Sequence, residues 1–130
     1  MKTTKRHFKT FVRCCEYWQE RLGFSHYRIT YEHVCLENMF ARTTTDHGNC
    51  VATIEFSRHW DSRTKFGTRA MNRVARHEVC HLLTACLLGK ALSRYATREA
   101  IMDEGEQIVR RLDSIFEKIE PVSGCRRRRG

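Results

Sequence analysis

Proline is nearly absent: Pro121 is the only one in 130 residues. No low-complexity linker and no internal repeat interrupts the chain, so nothing marks a domain boundary. The length fits one domain able to bury a core without covalent staples. No C-x-x-C pair occurs among the seven cysteines, at positions 14, 15, 35, 50, 80, 86 and 125, so a cysteine-only zinc site is not expected. An odd count without such pairs fits reduced thiols in the cytoplasm, and Cys80 and Cys86 read as small hydrophobes in an apolar run. Long hydrophobic stretches are missing too. The longest, Val79 to Leu88, is broken by His81 and Thr84 and is too short to cross a bilayer. The basic N-terminus has no apolar segment behind it, so it does not read as a secretory signal.

Acidic side chains are in deficit: 15 against 24 Lys and Arg, for a formal net charge of +9. Part of the excess sits at the ends, in Lys2, Lys5, Arg6 and Lys9 and in Arg126 to Arg129. Residues 121 to 130 read as a basic tail, either simply solvated or serving as an arm for nucleic acid or an acidic partner. With 41% hydrophobic and 30% charged residues, the remaining 1 to 120 read as one soluble globular domain.

Residues 8 to 22 carry Phe8, Phe11, Val12, Cys15, Trp18 and Leu22 at helical spacing, with Gly23 as a stop. Tyr27, Ile29 and Tyr31 alternate with polar residues as a half-buried strand would. "MFARTTT", the turn "DHGN" and "CVATIEF" predict a hairpin whose second strand points Ala52, Ile54 and Phe56 one way and Val51, Thr53 and Glu55 the other. Residues 57 to 67 predict a loop. A helix follows from a Thr68 N-cap to Leu88, with Gly89 as its stop, and a last helix runs from Thr97 to Glu120. The order helix, three strands, helix, helix is α+β with a small, mainly antiparallel sheet.

The chemistry concentrates in "RVARHEVCHLLTACLLG", residues 73 to 89. His77 and His81 are one helical turn apart, so both imidazoles can point at one metal ion. Glu78, on the same broad face, reaches a water on that ion and can accept and return its proton. Val79, Cys80, Leu82 and Leu83 are uncharged, as are Val74 and Ala75, which predicts a helix buried on nearly all sides. Two imidazoles and a carboxylate are costly in such a helix unless something satisfies them, and a metal would satisfy all three.

From Val74 through Leu83 the chain resembles the zincin metallopeptidases. The topology is similar as well, a small sheet backed by helices with the H-E-x-x-H helix after an edge strand. That resemblance implies a zinc ion, Zn2+, a peptide or protein substrate, and "CVATIEF" as the strand that pairs with it. A catalytic zinc takes three protein ligands and a water. His81 is the last histidine, which excludes the metzincin pattern and counts against proteases of DNA–protein crosslinks. A downstream carboxylate remains, as in the gluzincins.

Glu104 is favoured. It falls at the edge of the inward stripe set by Ile101, Ile108, Leu112, Ile115 and Ile119, whereas Glu99, Asp103 and Glu106 fall on the far side. "DEG" is similar to the N-E-G segment of aminopeptidase-type gluzincins, and Gly105 suggests a close approach to another backbone. Glu99 is the rival, since "EAIMD" resembles the thermolysin-type E-A-I-S-D and its distance from His81 is nearer the usual gluzincin spacing. Thr97, however, would cap the helix and leave Glu99 in its first turn, where the dipole favours it without a metal. Glu106 is third. Tyr95, Arg73 and Arg76 are candidates, by position, for stabilising an oxyanion. "YWQERLGFSHYRI", "HEVCHLL" and "EQIVRRL" also resemble small phage-encoded metallopeptidase-like proteins, which would place this one in a host cytoplasm.

Overall fold

A computed structural model of the chain describes residues 1–61 and 65–119, without the side chains of His47 and Ile119. The elements are α1 (Lys5–Arg21), β1 (Arg28–Val34), β2 (Ala41–Asp46), a 3-10 turn (His47–Asn49), β3 (Val51–Ser57), α2 (Thr68–Leu92) and α3 (Arg98–Ile119). This is the expected α+β order. The basic tail and Glu120, the expected last residue of the final helix, lie outside the described residues. Among those residues no helix is long and apolar enough to cross a membrane.

α1 starts earlier than its apolar spacing suggests, because Thr4 caps it reciprocally with His7. The His7 N–H donates to Thr4 Oγ1 at 3.2 Å and the Thr4 N–H donates to His7 Nδ1 at 3.1 Å, with histidine in the place a Glu or Gln usually takes. The helix ends where expected, Gly23 adopting a left-handed φ of 79° just past the Leu22 cap. α3 is capped by Thr97 as its sequence indicates, the Ala100 N–H donating to Thr97 Oγ1 at 3.1 Å.

The sheet order is β1-β3-β2. β2 and β3 form the expected antiparallel hairpin, pairing Ala41 with Phe56 and Asp46 with Val51. β1 lies on the other side of β3 and parallel to it, Arg28 opposite Val51. The sheet is therefore mixed, not mainly antiparallel. A hairpin announces its own neighbours through its turn, but residues 35–40 carry no signal for the side of β3 on which β1 will fall. β3, "CVATIEF" without its cysteine, is the central strand with both edges occupied, so it offers no edge to a substrate. The edge beside α2 belongs to β2.

One face of the sheet carries Ile29, Tyr31, Ala52, Ile54, Phe56, Ala41 and Thr43, and α1 and α2 cover it. Phe11 of α1 stacks on Phe56 with ring centroids 4.5 Å apart. Both are fully buried, as are Ile54 and Val79, each contributing about 1.5–3 kcal/mol by leaving water. The other face, with Thr30, Glu32, Arg42 and Thr44, is exposed; there Arg42 and Glu55 make a paired bond, Nε to Oε1 at 2.9 Å.

α2 departs from expectation at both ends. Its N-cap is Gly67 and no side chain caps it, Thr68 being already helical. It runs through Gly89 to Leu92, since Ala91 and Leu92 favour helix enough to carry a glycine one turn from the end. Nor is α2 buried on nearly all sides. Met71, Ala75, Glu78, Val79, Leu82 and Ala85 form a single buried face, while His77, His81 and Leu88 are exposed. A 25-residue helix is about 37 Å long at ~1.5 Å per residue, more than three short strands and two helices can wrap.

The inward stripe of α3 is as expected at Ile101, Ile108, Leu112 and Ile115, all half-buried; the Ile119 side chain lies outside the described residues. Gly105 does not mark a close approach. A Cβ built on it meets nothing within 4 Å. Gly105→Ala is therefore expected to stabilise the protein by about 0.5–1 kcal/mol. A thermal scan should show Tm rising by roughly 2–5 °C, whereas a fall would reinstate the packing role.

Candidate metal centre

The helical stripe Arg73, His77, His81 recurs every four residues and faces solvent; the stripe one residue on, Val74, Glu78, Leu82, turns toward the sheet. This offset gives the three motif residues their different environments. The imidazoles of His77 and His81 are exposed, ring centroids 4.9 Å apart and planes nearly perpendicular at 89°. Glu78 is only 5% exposed. A ligand atom from each of the three lies within 4.8 Å of the others, the one such metal-competent group among the described residues.

A buried carboxylate needs partners. Glu78 finds one in Thr43, on the inward side of edge strand β2. Thr43 Oγ1 lies 2.5 Å from Glu78 Oε2 and 3.1 Å from the Glu78 carbonyl oxygen, and its single proton serves one of them at a time. The short contact to Oε2 is the one expected of a charge-assisted bond. Behind the carboxylate sits the fully buried Cys15. Burial above all, then the charges of Cys14, Glu78 and Glu16, push its thiol far up, so Cys15 stays neutral.

A cleft of about 790 Å³ opens beside the cluster, with His77 and Glu78 in one wall and Phe40, Trp60, Asp61 and Arg73 around it. His59 lines it too, alone among the upstream histidines whose side chains are described. Of the three residues considered for an oxyanion, Arg73 is in the cleft wall. Arg76 turns instead to α1, its guanidinium 5.7 Å from the Trp18 ring centre, and Tyr95 is 85% exposed beyond the end of α2.

The carboxylates of α3 stand outside the His77–Glu78–His81 group. Glu104 is half-buried on the α2 side, as its place on the stripe implies, but its carboxylate is bonded to Cys86. Burial, then the Glu104 bond and charge, push the Cys86 thiol up to about 11. Cys86 is five residues past His81, about 140° farther round the helix. Glu99 and Asp103 are exposed, and Glu106 is exposed with Arg110 Nε at 3.6 Å. Thus the structure brings together His77, Glu78 and His81, and places Glu104, Glu99 and Glu106 elsewhere. Thr43 and Asp61 were not anticipated. Thr43 could have been, since a hydroxyl on the buried side of "ARTTT" asks for a polar partner; Asp61 had no such signal.

The donor set, two imidazoles and a carboxylate, could hold a divalent ion that takes nitrogen and oxygen ligands. The geometry has two imidazoles at open coordination distance and a carboxylate held behind them. Comparison of the chain with protein-family models, with curated proteins and with solved structures gave no match.

Thr43→Val keeps the side chain's shape and leaves the Glu78 carboxylate buried without its bond. It should lower stability by about 1–3 kcal/mol, read from the urea midpoint. Combining it with Glu78→Leu should recover part of that loss, and no recovery would show that Thr43 acts through another partner.

Proposed function

We propose that the protein is a zinc-dependent peptidase in which His77 and His81 hold the ion and Glu78 is the general base. The supporting observation is the contrast between two open imidazoles and a buried, hydrogen-bonded carboxylate in one ligand-sized group. A purely structural zinc site is closed by four ligands, and no closing set surrounds these histidines among the described residues. When bound, zinc supplies Lewis acidity toward a substrate carbonyl and lowers the pKa of a water beside it. Glu78 takes the proton of that water and later delivers it to the leaving amine. Thr43 fixes the carboxylate through Oε2, leaving Oε1 for the proton transfer. Arg73, one turn before His77 in the cleft wall, is placed to stabilise developing negative charge.

The free edge of β2 supports an extended peptide as substrate, bound by strand addition next to the cleft. Glu104 is carried as the third protein ligand, which requires its carboxylate to exchange Cys86 for the ion. The six described cysteines are all unbridged, which supports a cytoplasmic setting.

Zinc measured on purified, zinc-replete protein should come to about one per chain and be lost in His77→Ala. Glu104→Ala should reduce it; full zinc there together with loss in Glu99→Ala would move the third ligand to Glu99. Glu78→Gln should retain zinc and lose hydrolysis of an unfolded protein by at least ~10²-fold. Undiminished cleavage by this variant would remove Glu78 from the reaction.

A further inference from the structure

A second feature lies away from the metal cleft, on the exposed side of α1. Beside Arg13, Tyr17 and Trp18 is a depression of about 400 Å³ that reaches Asn72 of α2. The next, about 700 Å³, shares Tyr17 and Trp18 with it and extends past Arg21 to Lys118 of α3. A third, about 290 Å³, shares Arg21 and Lys118 and ends at Arg110 and Arg111. Shared walls make these one groove running from α1 onto α3.

Its lining is chemically one-sided. Arg13, Arg21, Arg110, Arg111 and Lys118 contribute positive charge, and Glu20 is the single carboxylate in its walls among the described residues. Glu106 offsets Arg110 from outside the groove walls, at 3.6 Å and with both side chains more than half exposed. Two aromatic rings sit among the cations. Tyr17 is 47% exposed and has the Arg21 guanidinium 4.5 Å from its ring centre. Trp18 stands edge-on to Tyr17 at 5.1 Å and is held by its Nε1–H, which donates to Asn72 Oδ1 at 2.9 Å. The α3 wall is held as well. Arg111 donates to the carbonyls of Leu22 and Gly23 at 3.4 and 3.0 Å and lies 4.3 Å over the Phe24 ring.

From this arrangement we propose that the α1–α3 groove binds single-stranded nucleic acid, its phosphates along the cations and its bases against Tyr17 and Trp18. Cations tracking a groove meet a sugar-phosphate backbone, and flat rings between them meet unpaired bases, whichever the sequence. An acidic peptide would use the charges and leave the rings without partners. An anionic membrane would need a flat or convex face, and this one is concave. Among the described residues the groove shares no lining with the metal cleft, so nucleic acid and peptide could be held together.

The test is fluorescence anisotropy of the full-length, zinc-loaded protein with labelled oligo-dT of about 15 nucleotides, from about 50 to 200 mM salt. Binding should weaken with salt at a log–log slope of about −3, for roughly four phosphate contacts at ~0.7 each, and Trp18 emission should be quenched. Arg13→Ser, Arg21→Ser and Lys118→Ser combined should weaken binding at least about tenfold and flatten the slope. Tyr17→Leu should weaken it about five- to tenfold with the slope unchanged, a split that a general loss of charge or fold would not produce. Replacing Arg126 to Arg129 with serine should leave the Tyr17→Leu effect intact. The proposal is overturned by no binding at the lowest salt, by wild-type affinity in the combined variant, or by equal affinity for poly-glutamate or phosphatidylserine vesicles.

Discussion

The contact on which the rest depends is the bond between Thr43 and Glu78. Glu78 is the one carboxylate buried among the described residues, on a helix whose inward face is otherwise apolar. Without a donor, its position would penalise the packing of α2 on the sheet. Thr43 supplies the donor from the edge strand, opposite Ile54 of β3 in register. Sliding β2 by one residue would turn Thr43 to solvent and put Arg42 or Thr44 toward the helix. The same bond thus ties strand register to helix rotation, and helix rotation sends His77 and His81 outward.

The division of the motif into open imidazoles and a covered carboxylate follows from that rotation. Residues at i and i+4 must share a stripe, and the residue between them at i+1 must lie about 100° away. Facing the pair to solvent therefore turns Glu78 inward, and burial of Ala75, Val79 and Leu82 holds it so. A helix rotated to bury both histidines would have exposed the carboxylate and left two imidazoles needing partners.

Much of this was legible in the residues. The alternation of Ala52, Ile54 and Phe56, the hairpin turn, the Thr97 cap and the stripe of α3 all follow from local rules that tertiary contacts did not override. What was not legible depended on what lies alongside. Nothing in β1 says that it pairs in parallel with β3, so β2 was not identified as the free edge. The uncharged run around His81 suggested a fully enclosed helix, yet Leu88 and Leu92 are exposed because the small sheet ends before the helix does. Gly105 and Gly89 carried no packing message at all. Within the site, the His-Glu-His spacing was readable because one helix turn defines it. Where Glu104, Glu99 and Glu106 stand relative to it was not, because that depends on how α3 lies across α2.

α3 is the most loosely held of the three helices among the described residues. No described side chain of α3 is fully buried. Its anchors are a half-buried isoleucine stripe and Arg111, which reaches back to the turn at Leu22 and Gly23. An element held this way opens or shifts at lower free energy than α2, whose inner face lies in the core. Moving α2 toward a ligand would cost the Thr43 bond and several buried side chains; moving Glu104 with α3 would cost its bond to the Cys86 thiol and part of a half-buried stripe. Under the proposed function, a site fixed on the core helix and completed from the peripheral one would assemble when an ion binds. Arg111 also lines the α1–α3 groove, so a nucleic acid bound there as proposed would bear on the helix that carries Glu104.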